Sequence, residues 1–127
     1  MDLVAAVIGL IVLEYFVFVM IVGAVRGKVG IQAPAMTGDP RLERALRVQT
    51  NTLEQMVIVI PSLWLYAQYN NQTVAAGLGL AFLVGRLLYA VGYMKDPNKR
   101  AVGFIIGFLA SITLLLGGLY GALMAAL

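Results

Sequence analysis

From Leu3 to Val25 the chain runs 23 residues with a single charge, Glu14. A run of that length and polarity is a helix able to cross the ~30 Å hydrocarbon core of a bilayer. No basic residue precedes it and it is too long for a signal h-region, so no cleavable signal is evident. A third segment, about Thr73 to Met94, carries only Arg86, and a fourth, Ala101 to Leu127, has no charge. The second segment departs from this pattern. From Arg41 to Glu54 it is polar, then it turns apolar and continues to about Tyr69. Its purely apolar part, Met56 to Ala67, is too short to cross a bilayer, so the turns from Arg47 to Glu54 must reach into the membrane. The pattern predicts an all-α, integral membrane four-helix bundle. It is one transmembrane domain over residues 1–127, with spans at about 3–25, 41–69, 73–94 and 101–126.

Composition narrows the chemistry. The chain is 61% apolar and 12% charged, about half the charge of a soluble domain. It has no cysteine and no histidine, which removes thiolate ligands, a cysteine nucleophile and the commonest general base and metal ligand. No metal site is expected. Any reaction must use Arg, Tyr, Asn, Gln, Asp or Glu, or a reactive group that a ligand brings. The net charge of +3 is small and gives no reason to expect a nucleic-acid partner.

The basic residues are unevenly placed. Arg26, Lys28, Arg41 and Arg44 lie in or beside the first loop, and Lys95, Lys99 and Arg100 in the third. The second loop, Asn70-Asn71-Gln72, and both ends have none. The positive-inside rule puts loops one and three in the cytoplasm and both termini outside. The polar start of the second span then faces the cytoplasm. The first loop is irregular, with Gly27, Gly30, Pro34, Gly38 and Pro40. Asp39-Pro40 reads as an N-cap followed by proline at the first helical position, and Pro97 stops the third span.

Arg47, Asn51 and Glu54 fall at i, i+4 and i+7, on one helical face. A snorkelling helix end accounts for Arg41, Glu43 and Arg44. The deeper three are costly at a membrane boundary unless something polar meets them. Glu54 lies roughly 10 Å along the helix beyond Arg47 and needs a partner, for which Arg86 is the obvious candidate. Gln49 points to the other side of the helix and could serve a neighbouring subunit's pocket, though a headgroup-boundary role fits its spacing equally. Arg86, Tyr89 and Tyr93 share a face of the third span, and Arg86 should face the bundle interior; Tyr93 alone would pass for aromatic belt. Arg100 is either a positive-inside anchor or a cation at the mouth of the same pocket. Glu14 is neutral, paired with Arg86 or another buried group, or a proton-coupled transport residue. Together Arg47, Arg86 and Arg100, with Arg26 near, outline a cationic pocket floored by Glu54. Such a pocket suits a small anionic ligand that also carries an ammonium or amide, such as a small peptide.

In these residues the chain resembles the MAPEG family, the membrane-associated proteins in eicosanoid and glutathione metabolism. The resemblance lies in Arg47-x-Gln49-x-Asn51-x-x-Glu54 on the second span, after the Pro34…Gly38-Asp39-Pro40…Glu43-Arg44 loop. Arg86-x-x-Tyr89-x-x-Gly92-Tyr93 follows on the third, with Arg100 seven residues on. The resemblance implies a homotrimer that binds glutathione, as co-substrate, between adjacent subunits near the cytoplasmic face. Arg47, Asn51, Glu54, Arg86, Tyr89 and Tyr93 would bind it from one subunit, and Arg26 and Gln49 from the neighbour. Arg100 would sit by the sulfur as the catalytic residue and favour the thiolate. The activity implied is that of a glutathione transferase, with peroxidase activity as a companion, acting on lipophilic electrophiles that enter from membrane lipid. The chain looks like a bacterial member, which implies the inner membrane.

Some positions depart from the family pattern. Gln55 follows Glu54 where many relatives have an aromatic, and the proline comes at Pro61. Ala101 follows Arg100 where some relatives place a hydroxyl, so a hydroxyl-assisted isomerase mechanism lacks support. Two other readings compete: a small proton-coupled multidrug transporter that uses Glu14, and a non-catalytic, lipid-binding member of the same family.

Overall fold

The computed structural model describes all residues, Met1–Leu127, and is entirely helical. Helix α1 spans Asp2–Val29, α2 Pro40–Tyr69, α3 Gln72–Lys95 and α4 Ala101–Ala126, with one 3-10 turn at Pro97–Lys99. α1, α3 and the segment Pro97–Ala126 are long and apolar enough to cross a membrane. α2 is the longest helix at 30 residues. It lacks such a window because its first half is the polar segment.

The helix ends follow from local chemistry. α1 continues one turn past Val25 and stops at Gly30, whose φ of 71° suits a residue without a Cβ. The Gly30 N–H donates to the Arg26 carbonyl, and the Arg26 guanidinium donates to the carbonyls of Ile31 (3.3 Å) and Ala35 (2.7 Å). Arg26 therefore ties the loop to the end of α1. At the start of α2 the Asp39 carboxylate accepts the Arg41 N–H at 2.8 Å, and Pro40 occupies the first turn, where no N–H is needed. Asn71 caps α3 through the Val74 N–H. At the other end of α3, Arg44 donates to the carbonyls of Met94 and Lys95, both at 3.4 Å, groups that no residue of α3 itself can satisfy.

Apolar residues spaced three and four apart form the core. α2 buries Leu42, Ala45, Val48, Thr52, Met56, Val59, Leu63 and Ala67 along one stripe. α3 and α4 touch backbone to backbone. A Cβ on Gly85 would sit 2.7 Å from the Gly107 nitrogen and 2.9 Å from the Gly103 carbonyl oxygen, and one on Gly103 would collide with the Tyr89 backbone. Small residues permit this close approach where lipid gives helices little hydrophobic reason to associate. The outer faces carry exposed Leu13, Phe16, Met20, Val102, Leu109, Leu116 and Leu123, more apolar surface than water tolerates and what lipid chains prefer.

Candidate functional site

Arg86 is the best-buried charge, at 1% exposure. Its Nε donates to Thr52 Oγ1 at 3.2 Å, and its Nη2 donates to Thr52 Oγ1 at 2.8 Å and to Asn51 Oδ1 at 3.1 Å. The guanidinium thus bridges α3 to α2. It faces the interior, as the sequence predicts, but Glu54 is not its partner. Glu54 lies two residues beyond Thr52, which turns it some 200° from the inner stripe, and it is exposed. Arg86 takes the hydroxyl and the amide two and three residues earlier instead.

Thr52 carries a sequence signal that a search for charged partners passes over. It occupies an inward position of the α2 stripe between Val48 and Met56, and a threonine there must find a partner inside the bundle. Gly107 on α4 leaves room beside the same arginine, since a Cβ on it would lie 3.8 Å from Arg86 Cδ.

From Arg86 a ladder of side chains climbs toward the third loop. The guanidinium carbon lies 4.0 Å from the Tyr89 ring centroid. Tyr89 and Tyr93, both buried, stack with centroids 5.6 Å apart and planes 25° apart. The Arg100 guanidinium lies 5.7 Å from the Tyr93 centroid. The i, i+3, i+7 spacing on α3 therefore places two aromatic faces between two cations. Arg100 is exposed and donates to the Pro97 carbonyl at 3.0 Å, so the 3-10 turn as well as Tyr93 orients it.

The outward face of α2 carries the second part of the site. Arg47, Thr50, Asn51 and Glu54 line a recess of about 220 Å³ with no apolar residue in its wall. Asn51 belongs both to this recess and to the Arg86 network, so it links the two. Gln49 lies on another flank, where its Nε2 is 3.5 Å from Tyr15 Oη on α1. Arg26 stays with its loop. Within one chain, then, Arg47, Asn51 and Glu54 converge, Arg86, Tyr89, Tyr93 and Arg100 form a continuous ladder, and Gln49 and Arg26 stand apart from both. Next to the recess, α2 and α4 enclose an apolar groove of about 220 Å³ between Gln55 and Ile58 on one side and Phe104, Phe108 and Ile112 on the other.

The chain is similar to known proteins over most of its length. It is 47% identical over 119 residues to an uncharacterised protein of Synechocystis sp., covering 94% of this chain and 87% of that one. It is 42% identical to human microsomal glutathione S-transferase 2, covering 89% of this chain and 78% of the relative. It is 32% identical to rat leukotriene C4 synthase, covering 94% and 84%. The family model described as MAPEG family matches residues 4–120, and with relatives of this closeness and coverage the chain belongs to the MAPEG family.

Proposed function

We propose that the protein is a membrane-bound glutathione transferase, with glutathione peroxidase activity as a companion, that works as a homotrimer with its sites between subunits near the cytoplasmic face. The observation that carries this reading is the all-polar recess of Arg47, Thr50, Asn51 and Glu54 on the outer face of a helix in an otherwise apolar bundle. Such a face is stable in a membrane where it meets another subunit and a hydrophilic ligand. Relatives named as glutathione S-transferases support the class of reaction.

The donor set suits a tripeptide with two carboxylates and one ammonium. Arg47 offers a planar fork to a carboxylate, Glu54 takes an ammonium, and the Asn51 amide serves a peptide group. Gln49 and Arg26, which stand apart in one subunit, would complete the site from the neighbour. Arg100 supplies a cation for the sulfur. A free thiol titrates near 8.5, and each unit by which a guanidinium lowers that value is ~1.4 kcal/mol of preference for thiolate. No protein nucleophile is then required, in keeping with a chain without Cys or His. The α2–α4 groove starts beside Phe104, one turn from Arg100, and offers a lipophilic electrophile a path out of the bilayer.

The test is the ultraviolet thiolate signal on adding glutathione to purified protein, with Arg100→Gln beside it, followed by conjugation assays on a panel of lipophilic electrophiles. The wild type should give the signal and turn over, and Arg100→Gln should bind glutathione but give neither. Binding with no thiolate in the wild type would overturn the catalytic reading and leave a non-catalytic binding protein.

A further inference from the structure

Glu14 is the charged group that this reading leaves unused. On α1 the inward residues are Val4, Val7, Ile11, Phe18 and Val22. Their spacing has one gap, which Glu14 and Tyr15 share, both half-buried, and the sealed Oε1 of Glu14 shows that its side chain is directed into the bundle. The levels on either side are fixed by packing. Ile11 belongs to one apolar cluster with Met56 of α2 and Phe82 of α3. Phe18 belongs to another with Val48 of α2 and Tyr89 of α3. Between those clusters α2 presents Thr52, α3 presents Arg86, and α1 presents Glu14. One polar layer therefore crosses three helices between two apolar layers.

The carboxylate is in an unusual state within that layer. Its Oε1 is sealed from solvent and accepts no hydrogen bond. Arg86 uses Nε and Nη2 on Thr52 and Asn51 and packs its guanidinium on the Tyr89 ring, so none of its hydrogen bonds goes to α1. No ion pair within 4.0 Å joins the two groups, which share the layer without touching. A lone cation at this depth is costly, and so is a lone carboxylate; placed in one layer, opposite charges offset part of that cost.

We propose that Glu14 is the resident counter-charge of Arg86, a positioning residue that faces the guanidinium from α1 within the same layer and sets how strongly the site attracts an anionic ligand. The affinity half of this proposal rests on the glutathione reading above; the pairing half does not. The charge layer has a definite consequence. With Glu14 ionised the layer is neutral, and an incoming carboxylate feels little net pull from Arg86. Neutralising Glu14 leaves Arg86 uncompensated, which weakens the empty protein and strengthens its hold on anions.

The experiment compares wild type, Glu14→Gln, Glu14→Asp, Arg86→Gln and the Glu14→Gln/Arg86→Gln double variant, purified in the same detergent, by melting temperature, glutathione titration and turnover. Glu14→Gln should lower the melting temperature of the ligand-free protein and tighten glutathione binding on the order of tenfold, as expected for removing one opposing charge nearby. The gain should appear in KM and not in kcat. Glu14→Asp should bind like wild type. In melting temperature, Arg86→Gln should do less damage once Glu14 is already Gln. A merely structural glutamate would lower stability without tightening any anion, so unchanged or weakened binding in Glu14→Gln overturns the affinity half. Additive losses in the double variant overturn the pairing. If the wild type binds no glutathione, the proposed function and the affinity half fall together, while the melting series still decides the pair.

Discussion

Replacing Thr52 by Val would test the structural heart of the site. The two side chains have nearly the same shape, so packing between Val48 and Met56 is kept, while the oxygen that accepts from both Nε and Nη2 of Arg86 is lost. Thr52 is fully buried, so no water can replace its hydroxyl without rearrangement. Hydrogen bonds to a charged donor are worth roughly 1.5–3 kcal/mol in soluble proteins, whereas bonds between membrane helices average below about 1 kcal/mol. Two such bonds converge on one oxygen here, and Asn51 still accepts from Nη2 in the variant, so a loss of about 2 kcal/mol is expected. That is roughly a thirtyfold fall in the folded-to-unfolded ratio. Reversible unfolding in mixed micelles of mild detergent and dodecyl sulfate measures it. Thr52→Ser keeps the acceptor and loses only a methyl group, so it should cost about 1 kcal/mol. A Thr52→Val loss below about 0.5 kcal/mol, or a Ser variant as damaged as the Val one, would refute the claim that this hydroxyl holds Arg86.

Much of this arrangement is legible in the sequence because helices convert spacing into direction. The i, i+4, i+7 pattern placed Arg47, Asn51 and Glu54 on one face, and they share one recess. The inward direction of Arg86 followed from the cost of a cation in lipid. Its partner did not follow, because an opposite charge is the obvious match for a buried cation and Glu54 is the acid nearest in the pattern. Burial in fact favours whichever acceptors lie on the facing stripe, and these are the hydroxyl of Thr52 and the amide of Asn51. The same stripe logic applied to α1 shows that Glu14 takes the place of a core residue, a fact hidden while its run is read only for hydropathy. The α3–α4 contact was harder still. Gly85, Gly103 and Gly107 read as unremarkable residues of apolar runs until the two backbones are seen to touch. Arg26 was placed by the family resemblance in a neighbour's site. Its guanidinium holds its own loop here, so reaching that neighbour would require it to exchange those carbonyls for the ligand.

Three further outcomes follow from local geometry. Gly103→Val should separate α3 from α4, because the added carbon meets the Tyr89 backbone, which cannot move aside; a loss of more than about 3 kcal/mol is expected, measured by the same micelle unfolding. Arg41 beside Asp39 holds that carboxyl below its usual range. Its folded-state value is depressed, so its contribution to the start of α2 is complete at neutral pH and fades only as pH falls through that lowered value. The Arg41 amide resonance should keep its neutral-pH position down to about pH 4 and move only below it. The Tyr93 ring tests whether the aromatic ladder orients the cation assigned to the sulfur. Tyr93→Leu removes the surface under the Arg100 guanidinium, while Tyr93→Phe keeps that surface and loses only the hydroxyl. A cation–π contact at an exposed site is worth about 0.5–1 kcal/mol, so Tyr93→Leu should reduce the thiolate signal at subsaturating glutathione roughly twofold to fivefold. Tyr93→Phe should stay close to wild type. If Phe loses as much as Leu, the hydroxyl acts directly on the ligand. If neither loses signal, the Pro97 carbonyl alone fixes Arg100, and the ladder from Arg86 is packing without a part in thiol activation.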